Sequence, residues 1–586
     1  MTRDPSPFDA RRRARWCAAF LAVAAAVALL ELFIDPRSVA SDGVAYLDLG
    51  DAILGGKPWA LNGYFSPLYG TWIALVVRLA HPSIANEYLV VRGASAVILL
   101  VAGLAFEALL TQVIAHARAL TTGAALDERR WRLFGYGLFL WSAVRNLGPA
   151  ETTPDITVMA VIFAAAALVL RMTNPGAPTP RTRDAVALGL VLGVGYYAKG
   201  VIFVTGFMFL GIFAWLARRA PRAVITAGGV FVLVASPWIA ALSLSKGRPT
   251  TGDVGKLNVA WYYTPVDLLH WRGEPAKFGT PAHAVRQPLQ RPDVFEFATP
   301  FPVSYPPWYD ASYWHEGLTN VRFDLPTMKT LVKESFLGTK PHLWVWVVLV
   351  VALVVGTRTA APVTAALGPL GVLALPALAS YAMYGIMVIN PRYVAGWVVA
   401  LYLFVLAAWA TWRDGKHLRL VEAVMPVLLF TFAVQVGRVW LREAGESVDW
   451  AARAVRHYDD GDVRAAEALA AAGLARESRV AIIGSTGDLM YWHRLARAHV
   501  VAEATDGDSS AYWSSDAAAR SRVIGYFRSL GARAVVSDKL PKGPLDPGWR
   551  RVDGTRYAYC LFAAEAQPAS SALCQPAPAV DSNRAR

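Results

Sequence analysis

Cysteine and charge are the scarce components of this chain. Three cysteines among 586 residues exclude a disulfide-built scaffold and any cysteine-rich zinc or iron-sulfur module. Charged residues make up 17% of the chain and hydrophobic ones 55%, and the mean hydropathy of +0.36 is too apolar for a protein that folds in water alone. Also missing are a P-loop, an H-E-x-x-H, a G-x-S-x-G and any metal-type Cys/His spacing, which argues against an ATPase, a zincin protease and an α/β-hydrolase. The net charge of +14 does not imply nucleic acid. Lys and Arg sit in short clusters between apolar runs, where orientation in a membrane accounts for them.

What the chain does contain is a series of apolar runs of membrane-spanning length. Residues 17–34 follow a basic head containing Arg11, Arg12, Arg13 and Arg15, which leaves the N-terminus in the cytoplasm and carries the chain outward. The run exceeds the roughly 7–15 residues of a signal-peptide core, so an uncleaved anchor is favoured over cleavage near Ser38-Val39-Ala40. Further runs at 88–115, 131–148, 153–171, 185–199, 201–217, 222–243, 342–357, 361–388, 394–411 and 420–437 each approach the ~20 residues that cross ~30 Å of hydrocarbon. Alternation then places Arg118, Arg129, Arg130 and Arg132, later Arg218, Arg219 and Arg222, and finally Arg413, Lys416 and Arg419 on the inner side, as the positive-inside rule requires. The short runs 185–199 and 201–217, separated by Lys199-Gly200, also fit a re-entrant pair. The expected fold class is an α-helical polytopic membrane protein with about eleven transmembrane helices. Its Ala/Arg-rich composition suggests a bacterial inner (plasma) membrane.

Three segments fall on the outer side. Residues 35–87 carry two amphipathic stretches, Val44–Leu54 and Pro67–Leu79, suited to lying along a membrane surface. The Pro- and aromatic-rich loop 245–341 is too long for a passive connector. From residue 441 the composition turns soluble. A helical stretch Val448–Ala475 precedes a strand Arg479–Ile483, a helix Asp488–Ala498, a strand His499–Ala502, a helix Asp516–Leu530, a strand Ala532–Val536 and a hairpin within Trp549–Phe562. This pattern predicts a small extracytoplasmic three-layer α/β domain over 441–565 and a disordered tail over 566–586. Gly484-Ser485-Thr486-Gly487 follows a strand and opens a helix, but it lacks the G-x-G-x-x-G fingerprint and reads as a plain turn. Cys560 and Cys574 are free to pair if this part faces an oxidising compartment.

Charges at the outer ends of spans are costly and so are candidates for function. Asp42, Asp155 with Glu151 one turn away, Lys199 and Arg392 make up the set. Helix capping is the structural alternative for the acids, and snorkelling to the interface is the alternative for the cations. Together they suit a hydroxyl acceptor and a phosphate-bearing lipid. A carboxylate deprotonates the acceptor or holds a divalent metal ion, while Lys and Arg neutralise a phosphate leaving group. Trp308 and Tyr309, in the aromatic loop beside Trp314-His315-Glu316, are placed either to stack on sugar rings or to form an interface belt.

This arrangement resembles the GT-C membrane glycosyltransferases, in the branch of the protein O-mannosyltransferases and aminoarabinose transferases. Ser41-Asp42-Gly43-Val44-Ala45-Tyr46, then Gly55-Gly56, then Ser66-Pro67-Leu68-Tyr69 are similar to the family's first outer loop, although many members have Asp-Glu where this chain has Asp-Gly. Thr153-Pro154-Asp155-Ile156-Thr157 resembles its second acidic site, Tyr197-Ala198-Lys199-Gly200 its Lys-Gly turn, and Arg392-Tyr393 its late Arg-Tyr. Ser236-Pro237-Trp238 also recurs in these enzymes. The likeness covers about residues 10–440 and implies inverting transfer of a sugar from a polyprenyl-phosphate donor to an acceptor hydroxyl at the outer face. It implies Asp42 as general base, and Asp155 with Glu151 orienting the acceptor or a metal. Lys199 and Arg392 would face the donor phosphate, with Tyr46, Tyr69, Trp308 and Tyr309 as further substrate contacts. The acceptor class stays open among glycan, lipid and protein, and so does metal dependence. The competing readings are a transporter or flippase, for which no related halves are visible, and a ligase of lipid-linked glycans.

Overall fold

The computed structural model describes residues 7–562 except 35–38, 58–60, 122–125, 149–150, 176–179, 265–269, 271–274, 281–285, 290, 298–302, 311–315, 320, 339, 414, 455–460 and 506–510. Cys574, Trp314-His315 and the tail 566–586 lie outside the described residues. The chain runs through α1 (Pro7–Ile34), the pair α2 (Ser41–Leu54) and α3 (Pro67–Ala80), α4 (Glu87–Leu120), α5 (Glu128–Ser142), α6 (Asp155–Thr173), α7 (Thr182–Ala198), α8 (Val201–Leu216) and α9 (Pro221–Lys246). A long loop bearing α10 (Val254–Tyr263) and α11 (Leu325–Gly338) leads to α12 (Lys340–Thr357), α13 (Ala361–Gly385), α14 (Pro391–Thr411) and α15 (Leu418–Ala454).

All eleven expected runs are therefore helical. Among the described residues, seven helices are long and apolar enough to cross a membrane: α1, α4, α6, α9, α13, α14 and α15. The chain is an integral membrane protein. The remaining four runs are shorter or more polar. Charged Glu128, Arg129, Arg130 and Arg132 open α5, which a π turn, Ala143–Leu147, extends, and α7 and α8 have 17 and 16 residues. Large apolar side chains such as Ile225, Leu233, Val355 and Phe430 face outward, as contact with hydrocarbon demands. The centre of the bundle is α14, with 94% of its span buried among α4, α5, α6 and α13. At ~1.5 Å per residue, the 34 residues of α4 are longer than the ~30 Å hydrocarbon core of a bilayer.

The two outer amphipathic stretches form α2 and α3, whose backbones touch. A Cβ on Gly50 would lie 2.1 Å from the Gly70 carbonyl oxygen, and one on Gly70 would lie 2.4 Å from that of Tyr46. Only glycine permits that approach.

Beyond them lies a seven-stranded sheet of order β1-β2-β4-β3-β5-β7-β6. Its strands are β1 (Arg286–Leu289), β2 (Val294–Glu296), β3 (Arg479–Ile483), β4 (His499–Ala504), β5 (Ala534–Ser537), β6 (Arg550–Arg551) and β7 (Ala558–Leu561). The central strand β3 is parallel to β4 and β5, and the other pairings are antiparallel. Alternation sends Val480, Ile482 and Val536 toward α16 (Gly461–Ala471) and into one cluster with Tyr46, Tyr69 and Val91 of the membrane part. Ala481, Ile483 and Val535 pack on the opposite side against α17 (Ala517–Ser529). Three layers result, as expected.

Three features differ from the sequence reading. The long loop supplies β1 and β2, so the sheet is not made by residues 441–565 alone, and α15 continues to Ala454. In place of a helix over Asp488–Ala498 there is a 3-10 turn, Gly487–Leu489, and one α turn, Trp492–Leu495. Buried side chains of that segment bond to other elements instead of pointing along one face.

Candidate active site

Four helix ends converge where the membrane bundle meets the sheet. Asp42 lies in the first turn of α2 and Asp155 opens α6. Lys199 follows the last residue of α7 in extended backbone (φ −156°), and Arg392 is the second residue of α14. Local chemistry fixes these ends. Pro154 precedes α6, and Pro391 takes the first position of α14, where a missing N–H costs nothing. The Asn390 side chain accepts the Arg392 N–H at 3.1 Å, a standard cap.

The charges interlock. Lys199 Nζ donates to Asp155 Oδ1 at 2.5 Å. Arg392 Nη2 donates to Asp42 Oδ2 at 2.9 Å, its Nη1 is 3.6 Å from Glu151 Oε2, and its Nε is 3.7 Å from Asp155 Oδ2. Asp155 is 2% exposed, Lys199 and Arg392 about a fifth, Asp42 27% and Glu151 55%, so the cluster grades from a buried floor to an open rim. Neither acid caps its own helix. Lys199 and Arg392 turn inward to carboxylates instead of snorkelling outward. Asp155 Oδ2 and Arg392 Nε, both buried, have no hydrogen-bond partner among the described residues. That leaves bonding capacity for a ligand in a low-dielectric position.

Aromatic groups wall the cluster. The Trp308 indole N–H donates to Asp42 Oδ1 at 3.3 Å and meets Trp261 edge-on at 5.6 Å. Lys199 Nζ sits 4.2 Å from the Tyr393 ring centroid, within cation-π range. Three other expected substrate contacts lie behind this wall. Tyr46, one turn below Asp42, packs edge-on to Tyr69 at 5.3 Å, and the Tyr69 hydroxyl pairs with Ser95 Oγ at 2.8 Å. Burial, then the nearby Asp42 and Asp155 carboxylates, hold the Tyr46 phenol well above its usual pKa. Tyr309 is buried against Phe65, and its carbonyl accepts from Asn62 Nδ2 at 2.7 Å. Tyr69 and Tyr309, each 1% exposed, support the site by packing and do not line it.

Gly43 explains the Asp-Gly pair. A Cβ there would stand 2.6 Å from Val39 Cγ1 and 2.7 Å from Thr152 Cβ. The first turn of α2 is pressed onto the segment carrying Glu151 and Asp155, and no side chain fits at position 43.

Some residues of the site region carried no sequence signal. Tyr393 was visible only as a neighbour of Arg392. A second buried cluster joins α2 and α4 to the sheet domain: Arg494 Nη1 lies 3.0 Å from Asp48 Oδ1 and 2.6 Å from Asp51 Oδ2, and its Nε lies 3.4 Å from Glu87 Oε1. Arg497 Nη2 donates to Glu87 Oε2 at 2.5 Å. Such long-range pairs leave no local pattern to read. The turn after β3 is closed to anions, because the Ser485 N–H and hydroxyl bond Asp538 at 2.8 and 2.7 Å and the Gly487 N–H bonds Glu503 at 3.3 Å.

The acids of the cluster are held by cations in this structure. Each acid in the cluster faces Arg392, and Asp155 also binds Lys199. Among the described residues no three His, Cys, Asp or Glu side chains are placed to hold an ion. Cys560 is disulfide-bonded and Cys17 is free.

No protein-family model and no curated protein matches the chain. Among solved structures it is similar to ArnT from Cupriavidus metallidurans bound to undecaprenyl phosphate, with 15% identity, 89% of this chain and 93% of that chain covered, and a TM-score of 0.48. The apo state of that protein gives 14%, 89%, 93% and 0.46. The oligosaccharyltransferase AglB from Archaeoglobus fulgidus, in complex with an inhibitory peptide and a dolichol-phosphate, gives 12% identity over 89% of this chain and 69% of that chain, with a TM-score of 0.40.

Proposed function

We propose that the chain is a membrane glycosyltransferase that moves a sugar from a polyprenyl-phosphate donor to an acceptor hydroxyl at the outer face of a bacterial inner membrane, with inversion. The observation that carries this reading is the interlocked set of Asp42, Glu151, Asp155, Lys199 and Arg392 at the ends of four helices. Its two cations are suited to a phosphate, and its most accessible aspartate is suited to a proton. The disulfide at Cys560 supports an oxidising compartment for the sheet domain.

In this reading the donor phosphate draws on Arg392 and Lys199, whose present partners are carboxylates. Arg392 then leaves Asp42, which accepts the proton of the acceptor hydroxyl. The acceptor oxygen forms its bond to the anomeric carbon from the face opposite the phosphate. The bond from that carbon to the phosphate oxygen breaks, and its electron pair stays on the phosphate, stabilised by both cations. One displacement inverts the anomeric centre. Asp155, nearly fully buried, keeps Lys199 and Arg392 in place, and Trp308 orients the Asp42 carboxylate. The acceptor is a glycan, a lipid or a protein hydroxyl.

The test is turnover by the purified protein in lipid nanodiscs, offered a panel of labelled polyprenyl-phosphate sugars and an acceptor extract. Consumption of one donor, with product of opposite anomeric configuration, is expected. A retained configuration, or no turnover of any donor by well-folded protein, overturns the reading.

A further inference from the structure

The opposite end of the bundle holds a second charged cavity with no part in sugar transfer. Where α1, α4 and α5 meet, a cleft of about 290 Å³ is lined by Arg12, Arg13, Trp16, Arg118, Arg129 and Arg132. At ~1.5 Å per residue, α1 carries Arg12 about 33 Å from its Ile34 end, beyond which Asp42 begins the site. The cleft therefore opens at the other membrane face, which the positive-inside rule assigns to the cytoplasm.

Two carboxylates also border it, and their positions are accounted for. Glu128 is shared by Arg118 at 2.5 Å and Arg132 at 2.9 Å, with Glu107 also on Arg132 at 2.5 Å. Asp127 caps α5 and pairs with Arg130 at 3.2 Å. Among the described residues neither the Arg12 nor the Arg129 guanidinium forms an ion pair with a carboxylate; Arg129 meets Asp127 only through its backbone N–H, at 3.0 Å. The cleft keeps a positive surplus on a framework braced by the buried Arg132, 3% exposed. Orientation in the membrane needs only a count of basic residues near a span. It does not require residues from three helices to converge on one cavity, with Trp16 at the boundary level where indoles settle.

We infer that this cleft binds the phosphodiester headgroup of an anionic phospholipid of the cytoplasmic leaflet, held by Arg12 and Arg129 over the braced Arg118 and Arg132. The acyl chains run down the lipid-facing side of α1, where Val23 is exposed. Bound there, the lipid ties α1 to the α4 and α5 pair by charge–phosphate contacts.

The test measures binding of cardiolipin, phosphatidylglycerol, phosphatidylcholine and inorganic phosphate to the full-length protein in detergent, by native mass spectrometry and by thermal shift. The two anionic lipids should bind and raise the melting temperature, less so as salt increases. Phosphatidylcholine and inorganic phosphate should do neither. Arg12→Gln with Arg129→Gln should weaken anionic-lipid binding about 30-fold, from the typical contribution of a basic residue near a membrane surface. Arg12→Lys with Arg129→Lys preserves the orienting charge and should keep most of the binding. Equal binding by the glutamine variant and the parent, equal binding of phosphatidylcholine, or protection by inorganic phosphate matching that of the lipids would each overturn the proposal.

Discussion

Asp42 and Asp155 face the same guanidinium, yet replacing each with Asn should have different consequences, and the difference follows from burial. Asp42 is 27% exposed and shares Arg392 with two other acids. Loss of that pair should cost no more than about 1 kcal/mol of stability, as for partly solvated ion pairs. If Asp42 is the base, its loss removes a contribution of about 10² to 10⁴ in rate. Asp42→Asn should therefore melt within a few degrees of the parent and transfer sugar at least about 100-fold more slowly. Asp155 is 2% exposed and bonded to Lys199 at 2.5 Å. Asp155→Asn leaves a mostly buried ammonium without its counter-ion, a loss of about 3–5 kcal/mol, so activity and stability should fall together. The assay pairs sugar transfer in nanodiscs with thermal unfolding of the same preparations. An Asp42→Asn protein that transfers at nearly the parental rate removes Asp42 from the proton-accepting role. A stable but inactive Asp155→Asn protein would refute the argument from burial.

Three further outcomes are expected. Gly43→Ala should push the first turn of α2 off Thr152, costing about 1–3 kcal/mol as overpacking does and lowering activity; a neutral effect in melts and in transfer would show that the contact relaxes freely. Arg494→Met, which leaves Asp48 without its buried cation and Glu87 with Arg497 alone, should destabilise by about 3–5 kcal/mol and expose the sheet domain to limited proteolysis, whereas an unchanged digestion pattern would contradict that. Burial holds the His493 imidazole below its ordinary value of 6.5, so the folded state keeps it neutral while the unfolded chain takes up a proton. Stability should then fall as pH drops through 6.5, by at most about 1.4 kcal/mol per pH unit until the folded-state pKa is reached. His493→Gln should flatten this part of the pH profile, and an unaltered slope would assign it to another group.

The features legible in the sequence were those written locally. Apolar length marked all eleven helices, and the position of Asp42, Asp155, Lys199 and Arg392 at span ends placed them on one side before any contact was known. Amphipathic spacing found α2 and α3, and alternation found β3, β4, β5 and the hairpin of β6 and β7. What stayed hidden depends on distant pairing. Nothing near Phe295 announces that it will lie opposite Glu503, or near Arg494 that it will meet Asp48 and Glu87. The burial of Tyr69 and Tyr309 was equally hidden, because a motif match gives an aromatic residue's position in the chain and not the direction of its ring.

Six residues of α2, about 9 Å of helix, separate Asp42 from Asp48. One end of this short rod is held by Arg392 of the bundle and the other by Arg494 of the sheet domain. A chain cut after α15 would retain every charged member of the carboxylate and cation cluster. It would still lose the anchor that sets the tilt of α2, and with it the aim of the Asp42 carboxylate. The sheet domain is thus part of the alignment of the site, and a membrane-only fragment is not its minimal form.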